Sequence, residues 1–214
     1  MQIVCVLTGD IVGSTKLTHN GRESLMEHLK SFLDKLNNFN NNKLPFRIFR
    51  GDSFQGVSFK PETALSDALL LRSWLITATP GASDHCWDAR LGIGIGTIEF
   101  HSEDVLEMDG EAFRNSGLIL DRLKTDERIG IHTPWNEVNE EMAVHSLVID
   151  TLSLRWSAAQ AEVVAGYLQG QTQSKMASDI GISQAAVNYR LKTANWHVID
   201  RILQRYKTLI SGRI

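Results

Sequence analysis

The chain is poor in several of the residues that would fix its class at once. It has two cysteines, four prolines and only 7% aromatic residues in 214 positions. Cys5 lies in an apolar run and Cys86 stands alone, so there is neither a disulfide framework nor a zinc-ligand spacing. Stapled secreted scaffolds and zinc modules are thereby excluded, and a reducing cytoplasm suits the chain best. No apolar run approaches the roughly 18–20 residues that span a bilayer, so no membrane partner is expected. The segment from Met1 to Leu7 carries no basic leader, which again gives a cytoplasmic expectation. The histidines show no metal-ligand spacing, and His132 and His145 read as surface or core residues. The tryptophans are scattered and read as core or interface.

What is present describes an ordinary globular protein. Hydrophobic residues at 43% can build a real core, and charged residues at 22% do not suggest disorder. The net charge of −3 conceals an asymmetry. From Thr151 onward there are eight basic and three acidic residues, against 14 and 22 before it. A basic tail on an acidic body suggests that the tail alone meets a polyanion.

Patterning divides the chain into an α+β part and a helical part. An apolar strand over 2–7 precedes the turn residues 8–15. Leu25, Leu29, Phe32, Leu33 and Leu36 then recur at helical spacing within 22–39. Two β-rich runs, 46–49 and 54–59, flank Arg50-Gly51-Asp52-Ser53 and predict a hairpin. Pro61 opens a helix over 64–78. A strand over 89–95, a helix over 110–124 and a strand over 128–132 follow. The order β-α-β-β-α-β with additions predicts a ferredoxin-like sheet domain over 1–135. A helical connector is expected over 136–152 and an all-α domain over 153–214.

In the helical domain Ser157 is a candidate N-cap, and Gly170 closes the helix that it begins. Helices are expected at 173–180, 184–193 and 195–209, with Gly181-Ile182-Ser183 as a tight turn. Met176, Ala177, Ile180, Ile182, Val187 and Leu191 form a small core, with Ala177 small because two helices cross there. Ser183, Gln184, Asn188, Tyr189, Arg190 and Lys192 are left outside. Gln and Asn pair with adenine edges, and Arg and Lys with guanine or phosphate, so this helix can enter a major groove. The segment resembles the helix-turn-helix of sigma-factor region four and LuxR-type regulators, on the Gly181-Ile182-Ser183 turn and the Ala186-Val187 pair. The resemblance implies double-stranded DNA as partner.

In the first part, Asp10 ends a strand and Asp52 lies in the hairpin turn. A ferredoxin-like sheet sets these side by side, where two carboxylates can hold a hard cation. Gly13, Ser14 and Thr15 are expected to open the next helix, whose free N–H groups suit phosphate, with Lys16 adding charge. Glycines 92, 94 and 96 lack the loop-to-helix setting of a dinucleotide site and read as close-packing residues.

The fragments Thr8–Thr15, Arg50–Phe54 and Arg90–Gly96 resemble the catalytic domain of class III nucleotide cyclases. The resemblance implies that Asp10, the main chain of Ile11 and Asp52 hold Mg²⁺ or Mn²⁺ with a nucleotide, and Arg114 or Arg50 is expected to stand in at the phosphate for the family arginine that is missing here. It also implies homodimers. The family's Asn and Arg on the following helix fall on Arg114 and Leu118, or, one residue along, on Asn115 and Ile119. A basic residue before the hairpin is represented only by the nearby Arg47 and Arg50. The two-domain layout is similar to the SatD family of small bacterial proteins. The expectation is a DNA-binding transcription regulator with a degenerate cyclase-like domain that senses a nucleotide or metal, or dimerises. The alternative is a divergent Mg-dependent nucleotidyl cyclase or other phosphoryl-transfer enzyme.

Overall fold

The computed structural model describes residues 2–39, 46–49, 51–81 and 85–214, together with the backbone alone of Asn40. Arg50 lies outside the described residues. The strands are β1 (Ile3–Ile11), β2 (Arg47–Phe49), β3 (Ser53–Ser58), β4 (Ala89–Thr97) and β5 (Ile129–His132). The helices are α1 (His19–Asn40), α2 (Ala64–Ala78), α3 (Glu111–Arg122), α4 (Asn136–Ser153), α5 (Ala158–Leu168), α6 (Gln173–Ile180), α7 (Gln184–Thr193) and α8 (Trp196–Ser211).

The strands form one sheet in the order β2-β3-β1-β4-β5. Each neighbouring pair among the first four is antiparallel, the split βαβ arrangement expected from the element order. β5 extends the sheet by pairing parallel to β4, with α3 as the crossover. Alternation on β1 sends Cys5, Leu7 and Ile11 into the core with α1 and α2. Val4 and Val6 go to a smaller cluster with Ala112 and Phe113 of α3. The sheet therefore has helices on both faces.

Glycine makes the α3 contact possible. A Cβ at Gly94 would lie 2.2 Å from the Ala112 carbonyl oxygen, and one at Gly92 would lie 2.2 Å from that of Ser116. These glycines are close-packing residues, but what they admit is a helix and not a neighbouring strand.

The larger apolar cluster runs without a break from beneath the sheet into the C-terminal helices, through Ala161, Val164, Ile199 and Ile202. Tyr206 of α8 is buried and donates to the Pro61 carbonyl at 2.7 Å. Arg72 of α2 is fully buried and binds both oxygens of Asp88 at 2.8 and 2.9 Å. Its third nitrogen reaches Asp150 at 3.0 Å and Ser153 at 2.9 Å, both on α4. α4 is thus fixed to the α+β part by a buried ionic network. Among the described residues no helix is long and apolar enough to cross a membrane.

Candidate functional site

The two sequence-predicted carboxylates do come to one end of the sheet. Asp10 pairs with Ser53 in the β1–β3 ladder, and Asp52 is the residue just before Ser53. Thr8 bonds to Ser116 of α3, so Asp10, two residues on, lies on that same face of β1. Ile11 ends the strand with its side chain buried.

Neither carboxylate is idle. Arg90, paired opposite Asp10 on β4, donates from Nε to Oδ1 at 2.9 Å and from a terminal nitrogen to Oδ2 at 2.6 Å. This two-point geometry is the strongest form of the Arg–carboxylate bond. It holds the guanidinium above its ordinary pKa through the hydrogen bond to Asp10. Asp52 accepts a short hydrogen bond from the buried Ser14 hydroxyl. A divalent cation requires oxygen ligands, whereas here a guanidinium occupies both oxygens of one carboxylate. The residues in this arrangement do not fit a metal. Among the described residues no group of three or more His, Cys, Asp or Glu side chains comes together as a metal site.

The phosphate set is only partly assembled. Gly13, Ser14 and Thr15 do not open α1, contrary to the expectation. Gly13 takes a left-handed φ of 68°, Ser14–Lys16 form a single 3-10 turn, and α1 starts at His19. Within the turn the Lys16 amide bonds to the Gly13 carbonyl and the Leu17 amide to the Ser14 carbonyl. Thr15 and Lys16 are the exposed residues of this turn.

Arg114 is not brought to Asp10 within one chain. It pairs with Glu99 and Asp109 beyond the far end of β4. Arg90 and Thr97 mark the two ends of that strand, roughly 20 Å apart at about 3.3 Å per residue. Asn115, the alternative in the shifted register, is buried and donates to the Ile95 carbonyl at 2.8 Å. It anchors α3 to the sheet. Arg47 lies 3.8 Å from Asp104.

At the other end of the molecule, α6 and α7 meet at Gly181, whose φ of 74° is the left-handed conformation that glycine adopts most readily. Ser183 caps α7 by accepting from the Ala186 amide, and Ser157 with Gln160 forms a capping box on α5. Val187 and Leu191 face inward. Gln184, Asn188 and Lys192 follow at four-residue spacing on an exposed stripe, with Tyr189 beside it. None of these four side chains has a hydrogen bond or ion pair to another described residue. Arg190 differs from them: it turns inward and pairs with Glu162 of α5 at 3.0 Å.

The basic excess of the tail is likewise partly consumed. Arg205 of α8 and Arg213, just beyond its end, pair with Glu141 and Glu137 of α4, both at 2.7 Å. Lys175 pairs with Asp179 in α6. Lys192, Arg201 and Lys207 keep exposed, unpaired charges among the described residues.

A profile of the SatD family matches residues 4–210, nearly the whole chain. The chain belongs to the SatD family. No curated protein matches it. Among solved structures, this SatD chain is similar to a bacterial light-regulated adenylyl cyclase at 16% identity and a TM-score of 0.47, covering 60% of this chain and 74% of that one. It is also similar to the active GGEEF domain of a diguanylate cyclase from Vibrio cholerae at 16% identity and a TM-score of 0.47, covering 61% and 83%.

The residues missed by sequence reading are Arg90 and the group Arg72, Asp88 and Asp150. For Arg72 a signal existed: it interrupts the apolar run Leu69-Leu70-Leu71 inside a helix, where an unpaired charge is intolerable.

Proposed function

We propose that this SatD-family protein is a DNA-binding regulator that reads DNA through α7. One observation carries the reading. Gln184, Asn188, Tyr189 and Lys192 form an exposed surface whose side chains make no bond to another described residue, on a capped helix set against α6 by a glycine turn. A short helix held rigidly from behind, with amide and cationic side chains outward, suits a major groove. Ser183 serves as the cap, and Arg190 orients against Glu162 while staying partly accessible. A homodimer would place two such helices on successive half-sites.

The test is a titration of fluorescent, sheared genomic DNA at low and physiological salt, beside an Asn188→Ala, Lys192→Ala double variant. Salt-sensitive binding that the variant loses is expected. Absence of binding at both salts would refute the reading.

A second reading is favoured by Asp10 and Asp52 sharing one sheet end: nucleotide binding with Mg²⁺ or Mn²⁺, and phosphoryl transfer in a dimer where a partner's α3 supplies Arg114. It requires Arg90 to leave Asp10. Product formation from the common nucleoside triphosphates decides it, and no product from any of them removes the enzymatic reading.

A further inference from the structure

α4 lies on β5 and α8 and buries Val138, Met142 and Ile149. Its solvent side changes character half-way along. The first two turns carry Glu137, Glu140 and Glu141, of which Glu137 and Glu141 pair with Arg213 and Arg205. From residue 142 to 154 the exposed residues are Ala143, Val144, Leu147, Thr151 and Leu154, and none is charged. Val144 is 63% exposed, Leu147 57% and Leu154 43%. The Thr151 hydroxyl donates back to the Leu147 carbonyl at 2.8 Å, so its polar group is already satisfied. The outer side of a helix on a globular domain is ordinarily polar, and a continuous apolar stripe there marks a contact surface.

The spacing says what kind of contact. Val144, Leu147, Thr151 and Leu154 are separated by three, four and three residues, the seam of two helices packed along their length. Leu154 follows α4 but keeps its helical place, because its amide bonds to the Asp150 carbonyl. A cavity of about 200 Å³ lies beside the seam, between α3 and α4 over β5, with Ala143 and Leu147 on its wall. The surface therefore has a recess as well as ridges.

The charges at the two ends of the stripe select the occupant. Glu140 stands one turn before Val144, and Arg155 directly follows Leu154. Both are exposed, and neither has an ion pair among the described residues. Antiparallel pairing of two α4 helices about a two-fold between Leu147 and Thr151 sets Val144 against the partner's Leu154 and Leu147 against the partner's Thr151. Arg155 then lies about 4.5 Å along the axis from the partner's Glu140, within reach of a long side chain. Parallel pairing would instead place Glu140 on Glu140 and Arg155 on Arg155, which repels. The stripe is thus complementary to itself in one orientation.

We propose that the outer face of α4 is the surface through which two copies of this chain pair, antiparallel and two-fold symmetric. The seam from Val144 to Leu154 is only about 15 Å long at 1.5 Å per residue, so association in the range of about 1–100 µM is expected. The pairing would supply the dimer that the DNA reading uses, yet it stands without that reading, because its test contains no DNA.

Sedimentation equilibrium of the full chain over about 1–100 µM should show a monomer–dimer equilibrium. Leu147→Glu should weaken it by at least about tenfold, since each copy then brings a charge into the seam. Leu147 is more than half exposed, so an unchanged thermal melt should show that the variant is folded. Phe100→Glu, at a 58% exposed apolar residue that bridges to Asp109 near Arg114, should leave the dimer unchanged. Glu140→Arg and Arg155→Glu should each weaken it by roughly fivefold over the two symmetry-related pairs, and combining them in one chain should restore it. A monomer at every concentration, a dimer that survives Leu147→Glu or is lost in Phe100→Glu, or a double charge variant no tighter than the single ones would each overturn the proposal.

Discussion

Arg90 and Asp10 face each other across the β1–β4 ladder and are joined by two hydrogen bonds, at 2.9 and 2.6 Å. The carboxylate that sequence comparison suggests for a metal is thus neutralised by its own strand neighbour. Their side chains are 36% and 25% exposed, so the pair contributes little to folding, within about 1 kcal/mol. Its consequence is for binding. A cation approaching Asp10 must displace the guanidinium, and unit charges about 4 Å apart interact by about 1–4 kcal/mol between water and a half-exposed site. Arg90→Gln is expected to raise Mn²⁺ affinity by on the order of tenfold, followed by the loss of the free-ion electron paramagnetic resonance signal, with little change in melting temperature. An unchanged affinity would mean that Asp10 is not a ligand.

Arg72 is the opposite case, a fully buried charge with two carboxylate partners. Arg72→Met leaves Asp88 and Asp150 buried and uncompensated, and should lower unfolding free energy by about 3–5 kcal/mol. Burial already pushes the Asp150 carboxyl above its ordinary pKa, and Arg72 is the main group opposing that rise. Urea denaturation measures the loss. Arg114→Met, which removes an exposed arginine, should leave the midpoint where it was; an equally small effect for Arg72→Met would show that the network does not hold α4 in place.

The contrast between these arginines explains what the sequence could reveal. Element positions were legible because punctuating residues stand where the physics needs them. Pro61 precedes α2 (Ala64–Ala78), Ser183 caps α7 (Gln184–Thr193), and Gly181 makes the turn between α6 and α7. The neighbourhood of Asp10 and Asp52 was also legible, since it follows from the strand order alone. The Arg90–Asp10 bond was not, because it depends on ladder register, and 80 residues separate the partners. The turn at Gly13 was misread as a helix start because Gly-Ser-Thr fits both, and only the left-handed φ distinguishes them. The pairing of Arg205 and Arg213 with α4 was likewise invisible to a count of charges.

Two glycines in contact with or within α3 make a matched pair. A Cβ at Gly94 would meet the backbone of Ala112 and Ser116 at 2.2 and 2.3 Å, whereas one at Gly117 meets nothing within 4 Å. Gly94→Ala must push α3 off the sheet and should destabilise by about 1–3 kcal/mol. Gly117→Ala should stabilise by about 0.5–1 kcal/mol through helix propensity. Thermal melts of the two variants should move in opposite directions. A tolerated Gly94→Ala would contradict the close seating of α3 on β4.

Arg190 and Lys192 are two residues apart on α7 but should behave differently if the helix binds DNA. Lys192 is exposed and unpaired, so Lys192→Ala should weaken binding similarly on all sequences and flatten the salt dependence by about one charge. Arg190 is tied to Glu162, so Arg190→Ala also frees a carboxylate beside the DNA-facing surface. Its loss of affinity should exceed that of Lys192→Ala and should be partly restored by adding Glu162→Gln. Asn188→Ala should instead compress the difference between preferred and random sequences, because an amide reads base edges and carries no charge for phosphate. Quantitative titrations at several salt concentrations, on a selected site and on random duplex, separate the three. If all three variants lost affinity equally on every sequence, α7 would be a phosphate-binding surface and not a reader of bases.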